Sequence, residues 1–177
     1  MFVSSGAEFY EPEGPRDWRA RFRLWRKWGV GPMAVVCGAN PSVADADRLD
    51  PTMHRIITLL RDSHGGYVMV NALPIVDPSP AGADLWCRVM KRSHPEEYAL
   101  VMRMNLEAIQ AEAMAADTVI VAWGNLVAPG NPLIGALSGG GRPIMCWGHN
   151  LNRSPRHPLS RGRNRIVPGT PLVEWRP

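Results

Sequence analysis

The chain has 177 residues, of which 45% are hydrophobic and 20% are charged, and its formal net charge is +4. This composition is typical of one globular domain with one core and excludes a disordered chain. No apolar run approaches the roughly 20 residues that cross a bilayer, so we expect no membrane partner.

The N-terminal segment and the cysteines narrow the setting further. Residues 1–15 carry acids, glycine and proline, a composition that differs from that of a signal peptide. The three cysteines are an odd number without CxxC spacing, so we expect no disulfide framework, zinc site or iron–sulfur cluster. We therefore expect a cytoplasmic monomer that holds no metal and no cofactor.

In chain order, residues 1–15 are expected to be an irregular lead-in to a single domain that spans residues 1–177. Residues 17–29 fit both a helix and a strand. Four short apolar runs follow, and runs of this kind indicate strands buried on both faces, hence parallel. They are Met33–Cys37, Tyr67–Val70, Thr118–Ala122 and Pro143–Cys146.

Helical patterns alternate with these runs. Asp50 precedes a proline and apolar residues at helical spacing, which predicts a capped helix. An amphipathic helix is predicted over Pro95–Ala116, and a short one over Asn131–Leu137. The alternation predicts a three-layer α/β/α sandwich on a four-stranded parallel sheet, with strands near residues 33–38, 66–71, 118–122 and 143–147.

Polar or glycine-rich sequence follows each predicted strand: Gly38–Ser42, Asn71–Pro74, Trp123–Asn125 and Trp147–Asn150. Each is also ordinary turn sequence, but ligands of open α/β sheets bind beyond the carboxyl ends of the strands. His157 follows among prolines and arginines, where a core histidine is unexpected. We expect Asn40, Asn71 and His157 to line one pocket, because asparagine offers a donor and an acceptor that match the edge of a base.

The C-terminal third is basic. No acidic residue lies between Asp117 and Glu174, a stretch with six arginines. This distribution fits a phosphate-bearing partner and equally a basic surface that only maintains solubility. If nucleic acid binds, its backbone is expected to contact the late polar residues Arg153, Arg156, Ser160, Arg161 and Arg163.

These motifs resemble the uracil-DNA glycosylase superfamily. Its mismatch-specific branch has Gly-x-Asn-Pro after the first strand, which is similar to Gly38–Pro41, and a strand that ends in asparagine, similar to Asn71. Trp123-Gly124 and His157–Ser160 resemble its later motifs, the last in a shortened form. The superfamily stacks the base on an aromatic ring just after the first motif. Val43–Asp50 offers none, which leaves Trp123 or Trp147 as the candidates.

Over nearly its whole length, the chain also resembles the domain-of-unknown-function family 1643. The matching residues are Arg21, Leu24, Arg26 and Trp28, then Asn40–Ala46, Asp50–Thr52, Val70-Asn71, Trp123-Gly124 and His157–Leu159.

The glycosylase resemblance implies a DNA-acting enzyme that recognises a uracil-like or modified base and cleaves or processes its N-glycosidic bond. Asn40 would position water and His157 would stabilise the leaving base. The remaining candidates for contact with the base are Gly38, Ala39, Pro41, Ser42, Asn71, Trp123, Gly124 and His149. A nucleobase- or nucleotide-binding module without cleavage, and a protein-interaction role with a vestigial pocket, are the alternatives. Asp50 is expected to cap a helix, while Asp45 and Asp47 are expected in a solvated loop.

Overall fold

The fold is described from a computed structural model, which describes residues 2–12, 17–42, 44 and 47–176. The strands are β1 (Ser4–Tyr10), β2 (Ala20–Lys27), β3 (Met33–Gly38), β4 (Gly66–Asn71), β5 (Thr118–Val121), β6 (Ile144–Cys146) and β7 (Val173–Glu174). The helices are α1 (Pro51–Leu60), α2 (Pro80–Ser93), α3 (Pro95–Ala115) and α4 (Asn131–Leu137), with a 3-10 turn over Gly162–Asn164.

The strands form one mixed sheet in the order β1-β2-β4-β3-β5-β6-β7. Its centre, β4-β3-β5-β6, is parallel and consists of the four apolar runs. The pairing register sets Gly38 opposite Asn71, so both residues end their strands at the same edge. The α/β class is confirmed, but the prediction of a four-stranded sheet is wrong, because antiparallel strands extend the sheet on both sides.

The added strands lie in sequence that lacks a clear signal. β1 lies in the segment expected to be irregular, and only its pairing with β2 makes it a strand. At Gly6 an added Cβ would lie 2.1 Å from the Trp25 ring, so glycine lets that ring cross β1. β2 resolves the ambiguity of residues 17–29 in favour of a strand, with Phe22 and Leu24 buried.

Helices cover both faces of the sheet, as expected. Met53, Ile56 and Leu60 of α1 pack on one face, against a cluster that includes Ala34, Val36 and Ile120. Helices α3 and α4 pack on the other face, in a cluster that includes Val35, Cys37, Val119 and Val121. The two sheet faces are supplied by alternate residues of the same strands, as the pleat requires. Continuous apolar runs therefore form these strands because both sides are buried.

The predicted helices are present, and Asp50 caps α1 by accepting a hydrogen bond from the Met53 backbone N–H at 2.8 Å. Helix α2 was not predicted, although its start carries a clear signal. Ser79 accepts from the backbone N–H groups of Ala81 and Gly82, and Pro80 stands at the first helical position. Within the described residues, no helix is both long and apolar enough to cross a bilayer.

Candidate functional site

The carboxyl ends of β3 and β4 continue as two loops that are tied together. The Ala72 N–H donates to the Gly38 carbonyl at 3.0 Å, and the Leu73 N–H donates to the Ala39 carbonyl at 2.9 Å. Farther on, the Asp77 N–H donates to the Pro41 carbonyl at 3.0 Å. These bonds hold the loops in register beyond the sheet, so the side chains that they carry are fixed relative to one another.

A cavity of about 120 Å³ opens at this edge of the sheet. It contains the three residues expected to converge, Asn40, Asn71 and His157, together with the predicted Gly38, Ala39 and Ser42. The remaining lining residues come from β2, from β4, from the starts of α1 and α2, and from the loops beside them: Arg21, Asp50, Thr52, Met53, Met69, Asp77, Pro78, Pro80 and Leu126.

Asn71 is 1% exposed, and neither its Nδ2 nor its Oδ1 has a hydrogen-bond partner among the described residues. An added Cβ at Gly38 would lie 2.8 Å from this Oδ1, so glycine leaves room for the amide. Below it, Nδ2 of the buried Asn105 on α3 donates to the Asn71 carbonyl at 3.0 Å and fixes the strand end. Buried amides are normally paired, and Asn71 lines the cavity, so its amide can donate to and accept from a group that enters there.

The amide of Asn40 also lies at the cavity, and its orientation is fixed by backbone carbonyls. Its Nδ2 donates to the carbonyls of Asp77 at 2.8 Å and Pro41 at 3.2 Å. Two carbonyl acceptors require the amide nitrogen on that side, so the orientation of the amide is determined. Since Nδ2 is engaged in this way and Asn40 lines the cavity, Oδ1 is the amide atom of Asn40 that can accept a hydrogen bond from a water or a ligand N–H.

The loop after β6 brings His157 to the cavity. The Asn150 Nδ2 holds this loop by donating to Asn125 Oδ1, to Ser154 Oγ and to the Pro155 carbonyl. The backbone of Gly124, at φ +67°, lies so close that an added Cβ would be 3.2 Å from the His157 Cβ. The polar residues that follow β5 and β6 therefore serve in part to form the turns that position His157.

The tautomer of neutral His157 is set locally. Its Nδ1 accepts a hydrogen bond from the Leu159 backbone N–H at 3.1 Å, so the ring proton of the neutral form is on Nε2. Burial lowers the pKa of His157 below its ordinary value, and the charge of Asp50 offsets this only in part. The ring is therefore neutral at neutral pH and offers one N–H donor.

Protonation of His157 should reduce stability as the pH falls. Because the folded-state pKa is lowered, the unfolded chain takes up the proton first. The contribution to the free energy of unfolding is complete above about pH 6.5 and is lost as the pH falls toward the folded-state pKa. His157→Gln should therefore show a smaller loss of unfolding free energy across this range, measured by urea denaturation at a series of pH values.

His64 gives an internal check on that measurement. Burial also lowers its pKa, and its Nε2 lies 3.1 Å from Thr118 Oγ1, away from the cavity. His64→Gln should reduce the pH dependence independently, and the two substitutions should be additive. A His157→Gln variant with the wild-type pH dependence would contradict the lowered pKa.

Arg21 was missed as a site residue because β2 was not recognised as a strand. β2 runs antiparallel to β4, so its amino end meets the carboxyl ends of the parallel strands. Arg21 is 2% exposed and lines the cavity, and its Nη1 donates to the Ala44 carbonyl. Burial lowers the pKa of Arg21 to about 10. The nearby charge of Asp50 raises this pKa, but by less than burial lowers it.

Two carboxylates also line the cavity, and both lie at helix starts. Besides capping α1, Asp50 accepts a hydrogen bond from the Ser42 hydroxyl. Asp77 Oδ1 accepts from the Ser79 N–H at 2.7 Å, and Gly82 gives the carboxylate room, since an added Cβ would lie 2.2 Å from Asp77 Oδ2. Of the other two acids considered, Asp47 is exposed and Asp45 lies outside the described residues.

Several residues predicted to contact a base do not line this cavity. Trp123 is fully buried and packs edge-on against Trp175, with ring centroids 5.3 Å apart. Trp147 is buried in the core on the α1 face. Exposed His149 has its Nε2 3.8 Å from Cys146 Sγ. Pro41 and Gly124 support the loops and do not line the cavity, and neither tryptophan proposed for stacking reaches it.

The residues expected at a nucleic-acid backbone are spread over separate places. Ser160 and Arg161 line a concave surface with Arg55 and Arg165, next to the His157 loop. Arg163 is exposed on the 3-10 turn. Arg153, at φ +64°, lies instead beside Trp123 and Trp175, and Arg156 Nε donates to the His149 carbonyl at 3.3 Å.

The cysteines are free, and burial raises the pKa of each thiol, that of Cys87 to about 11. They are therefore thiols, not thiolates, at neutral pH. In the part of the chain that the structure describes, no group of three or more histidine, cysteine, aspartate or glutamate side chains could hold a metal ion.

Comparison with known proteins identifies the family. No curated protein and no solved structure matches the chain. The model of the family described as "Protein of unknown function (DUF1643)" matches residues 21–159, a span that reaches from Arg21 on β2 to the His157 loop and includes all of the cavity-lining residues named above. The chain therefore belongs to the DUF1643 family.

Proposed function

We propose that the protein recognises a uracil-like or modified base in DNA and cleaves or processes its N-glycosidic bond. The observation that carries this proposal is the buried amide of Asn71, which has no partner among the described residues and lies in a small cavity shared with Asn40 and His157. An amide donor and acceptor side by side match the hydrogen-bonding edge of a pyrimidine.

The size of the cavity supports a single ring. Its volume of about 120 Å³ is well below the roughly 300–1,000 Å³ of sites for larger ligands. A whole nucleotide does not fit inside, so the sugar and phosphates would stay at the mouth while the base enters. A base in a duplex must leave the stack to do so. Met69, Pro78 and Leu126 offer apolar surface for the faces of the ring.

The chemistry follows from the positions of the side chains. Asn71 would hold the base edge, and the Nε2–H of His157 would donate to the base oxygen on which negative charge develops as the bond breaks. The Oδ1 of Asn40 would position the water that attacks C1′ of the sugar. The parallel strands in the order β4-β3-β5-β6, with the cavity at their carboxyl ends, support the uracil-DNA glycosylase-like assignment.

A base-binding module without cleavage is the second candidate. It is favoured by the state of Asp50, whose two carboxylate oxygens accept from the Met53 N–H and the Ser42 hydroxyl. A carboxylate occupied in this way is poorly placed to activate water. Cleavage would then depend on positioning by Asn40, because an amide is a weak base.

Incubation with oligonucleotides that each carry one modified base, followed by an assay for abasic sites, tests the proposal. We expect base release from at least one substrate, and its loss in an Asn71→Leu variant. Base binding without release from any substrate would favour the binding module. Neither binding nor release would reject both candidates.

Nucleic-acid binding should depend on salt through the late arginines. Arg161→Ala and Arg163→Ala should each reduce the slope of log affinity against log salt by about one unit if that side chain contacts a phosphate. Arg161 is the stronger candidate, because it shares a concave surface with Arg55 and Arg165 next to the His157 loop. Fluorescence anisotropy with labelled DNA over a salt series measures these slopes.

Arg103→Ala is the matched control, since Arg103 is exposed on α3 and does not line either cavity. Its slope should equal that of the wild type. Unchanged slopes in both late-arginine variants would place the nucleic-acid surface elsewhere.

A further inference from the structure

Of the charged side chains that line the cavity, Arg21 is the one least well supplied with hydrogen-bond acceptors and opposite charge. Its Nη1 has the Ala44 carbonyl as an acceptor, while its buried Nε has no partner among the residues that the structure describes. Among the described residues, it forms no ion pair with a carboxylate. A buried guanidinium without an anionic partner is costly, so such groups normally pair with an anion.

The two carboxylates of the lining do not supply that partner. Asp50 is engaged at the start of α1 and by the Ser42 hydroxyl, and Asp77 is engaged at the start of α2. Helix N-termini stabilise negative charge, so the negative charge of each carboxylate is already stabilised by its own helix. The lowered pKa of Arg21 agrees, because burial outweighs the attraction of Asp50.

A guanidinium binds the planar oxygens of a carboxylate or phosphate through parallel hydrogen bonds. We infer that the cavity takes a base with an anionic substituent, a carboxylate or a phosphate, which pairs with Arg21 while Asn71 reads the ring edge. This inference rests on the proposed function for the ring and adds the charged group. Since Arg21 is 2% exposed, the anion is part of the buried base and is not a backbone phosphate at the mouth.

Binding of small probes, measured by isothermal titration calorimetry at neutral pH, tests the inference. The probes are uracil, 5-hydroxymethyluracil, 5-carboxyuracil, uridine 5′-monophosphate and inorganic phosphate. We expect 5-carboxyuracil to bind about 10–100-fold more tightly than 5-hydroxymethyluracil, the usual gain from a hydrogen bond to a charged group. The two bases are of similar size, so the comparison isolates the charge.

Arg21→Gln should abolish this preference and leave the affinity for 5-hydroxymethyluracil within a few-fold of that of the wild type. Arg21→Lys should keep part of the preference, because lysine keeps the positive charge but lacks the parallel N–H donors of the planar guanidinium. Arg19→Gln is the matched control, since the Arg19 guanidinium lies over the Phe9 ring, 4.5 Å from its centroid, and does not line the cavity. Thermal unfolding shows whether each variant is folded, and the wild-type preference is informative without any variant.

The outcomes separate the inference from the proposed function. Equal or tighter binding of 5-hydroxymethyluracil would overturn the anionic substituent and leave base recognition standing. Preference for uridine 5′-monophosphate over 5-carboxyuracil would assign Arg21 to a backbone phosphate and overturn the inference. Arg21-dependent binding of phosphate without binding of any base would support the anion site and reject the proposed function. Binding of no probe would overturn both.

Discussion

Asn71→Leu should raise the free energy of unfolding of the ligand-free protein by about 1–3 kcal/mol, the usual cost of a buried polar group that lacks a partner. Leucine has nearly the shape of asparagine and carries no donor or acceptor, so it removes this cost without opening a hole. The free energy is measured by urea denaturation.

Asn105→Leu is the matched control, because Asn105 is as deeply buried as Asn71. Its Nδ2 bonds to the carbonyls of Asn71 at 3.0 Å and Ala72 at 3.4 Å. The same substitution there leaves these carbonyls without their donor and should lower the free energy of unfolding. Opposite signs at the two sites would mark Asn71 as a residue kept for a ligand. Equal destabilisation would make Asn71 a structural residue and remove the main support for a base site.

Asn71→Leu should abolish base release although it raises the free energy of unfolding. A base that loses its paired donor and acceptor in a buried cavity loses both hydrogen bonds and leaves its own polar edge buried. Sites built to hydrogen-bond a polar group reject the mismatched partner by roughly 10⁴-fold. A variant that is more stable, yet inactive in base release, would separate recognition from folding.

The parallel centre of the sheet was predictable from the sequence, and its borders were not. Runs such as Met33–Cys37 are apolar throughout because both faces are covered by helices, and that pattern is local. β1 has no such pattern, because it becomes a strand only by pairing with β2. Arg21 was missed for the same reason, since its place at the cavity depends on the antiparallel direction of β2.

The convergence of Asn40, Asn71 and His157 was predictable, because the ends of parallel strands share one edge. The side-chain directions beyond the strand ends were not. Trp123 follows β5 directly and still turns into the core, where Trp175 meets it from a distant part of the chain. Asp50 shows the converse, since its capping role was readable from Asp-Pro while its place in the cavity depends on the loop before α1.

His157→Ala should slow base release by roughly 10²–10³-fold, the usual cost of removing one donor to a developing anion. Binding of an oligonucleotide with an uncleavable analogue of the base should change much less, because the charge appears only in the transition state. Single-turnover release kinetics and equilibrium binding measure the two effects separately.

Two further substitutions separate the donor from the loop contact. His157→Asn keeps an acceptor near the position of Nδ1 for the Leu159 N–H and loses the donor, so it should be as slow as alanine while keeping the stability of the wild type. His157→Gln keeps a donor near the position of Nε2 and should recover part of the rate. If asparagine supports release better than glutamine does, the loop contact is what matters and His157 is a positioning residue. If all three variants release the base at the wild-type rate, His157 has no part in the chemistry, and the cavity would then be a site that recognises a base without cutting its bond.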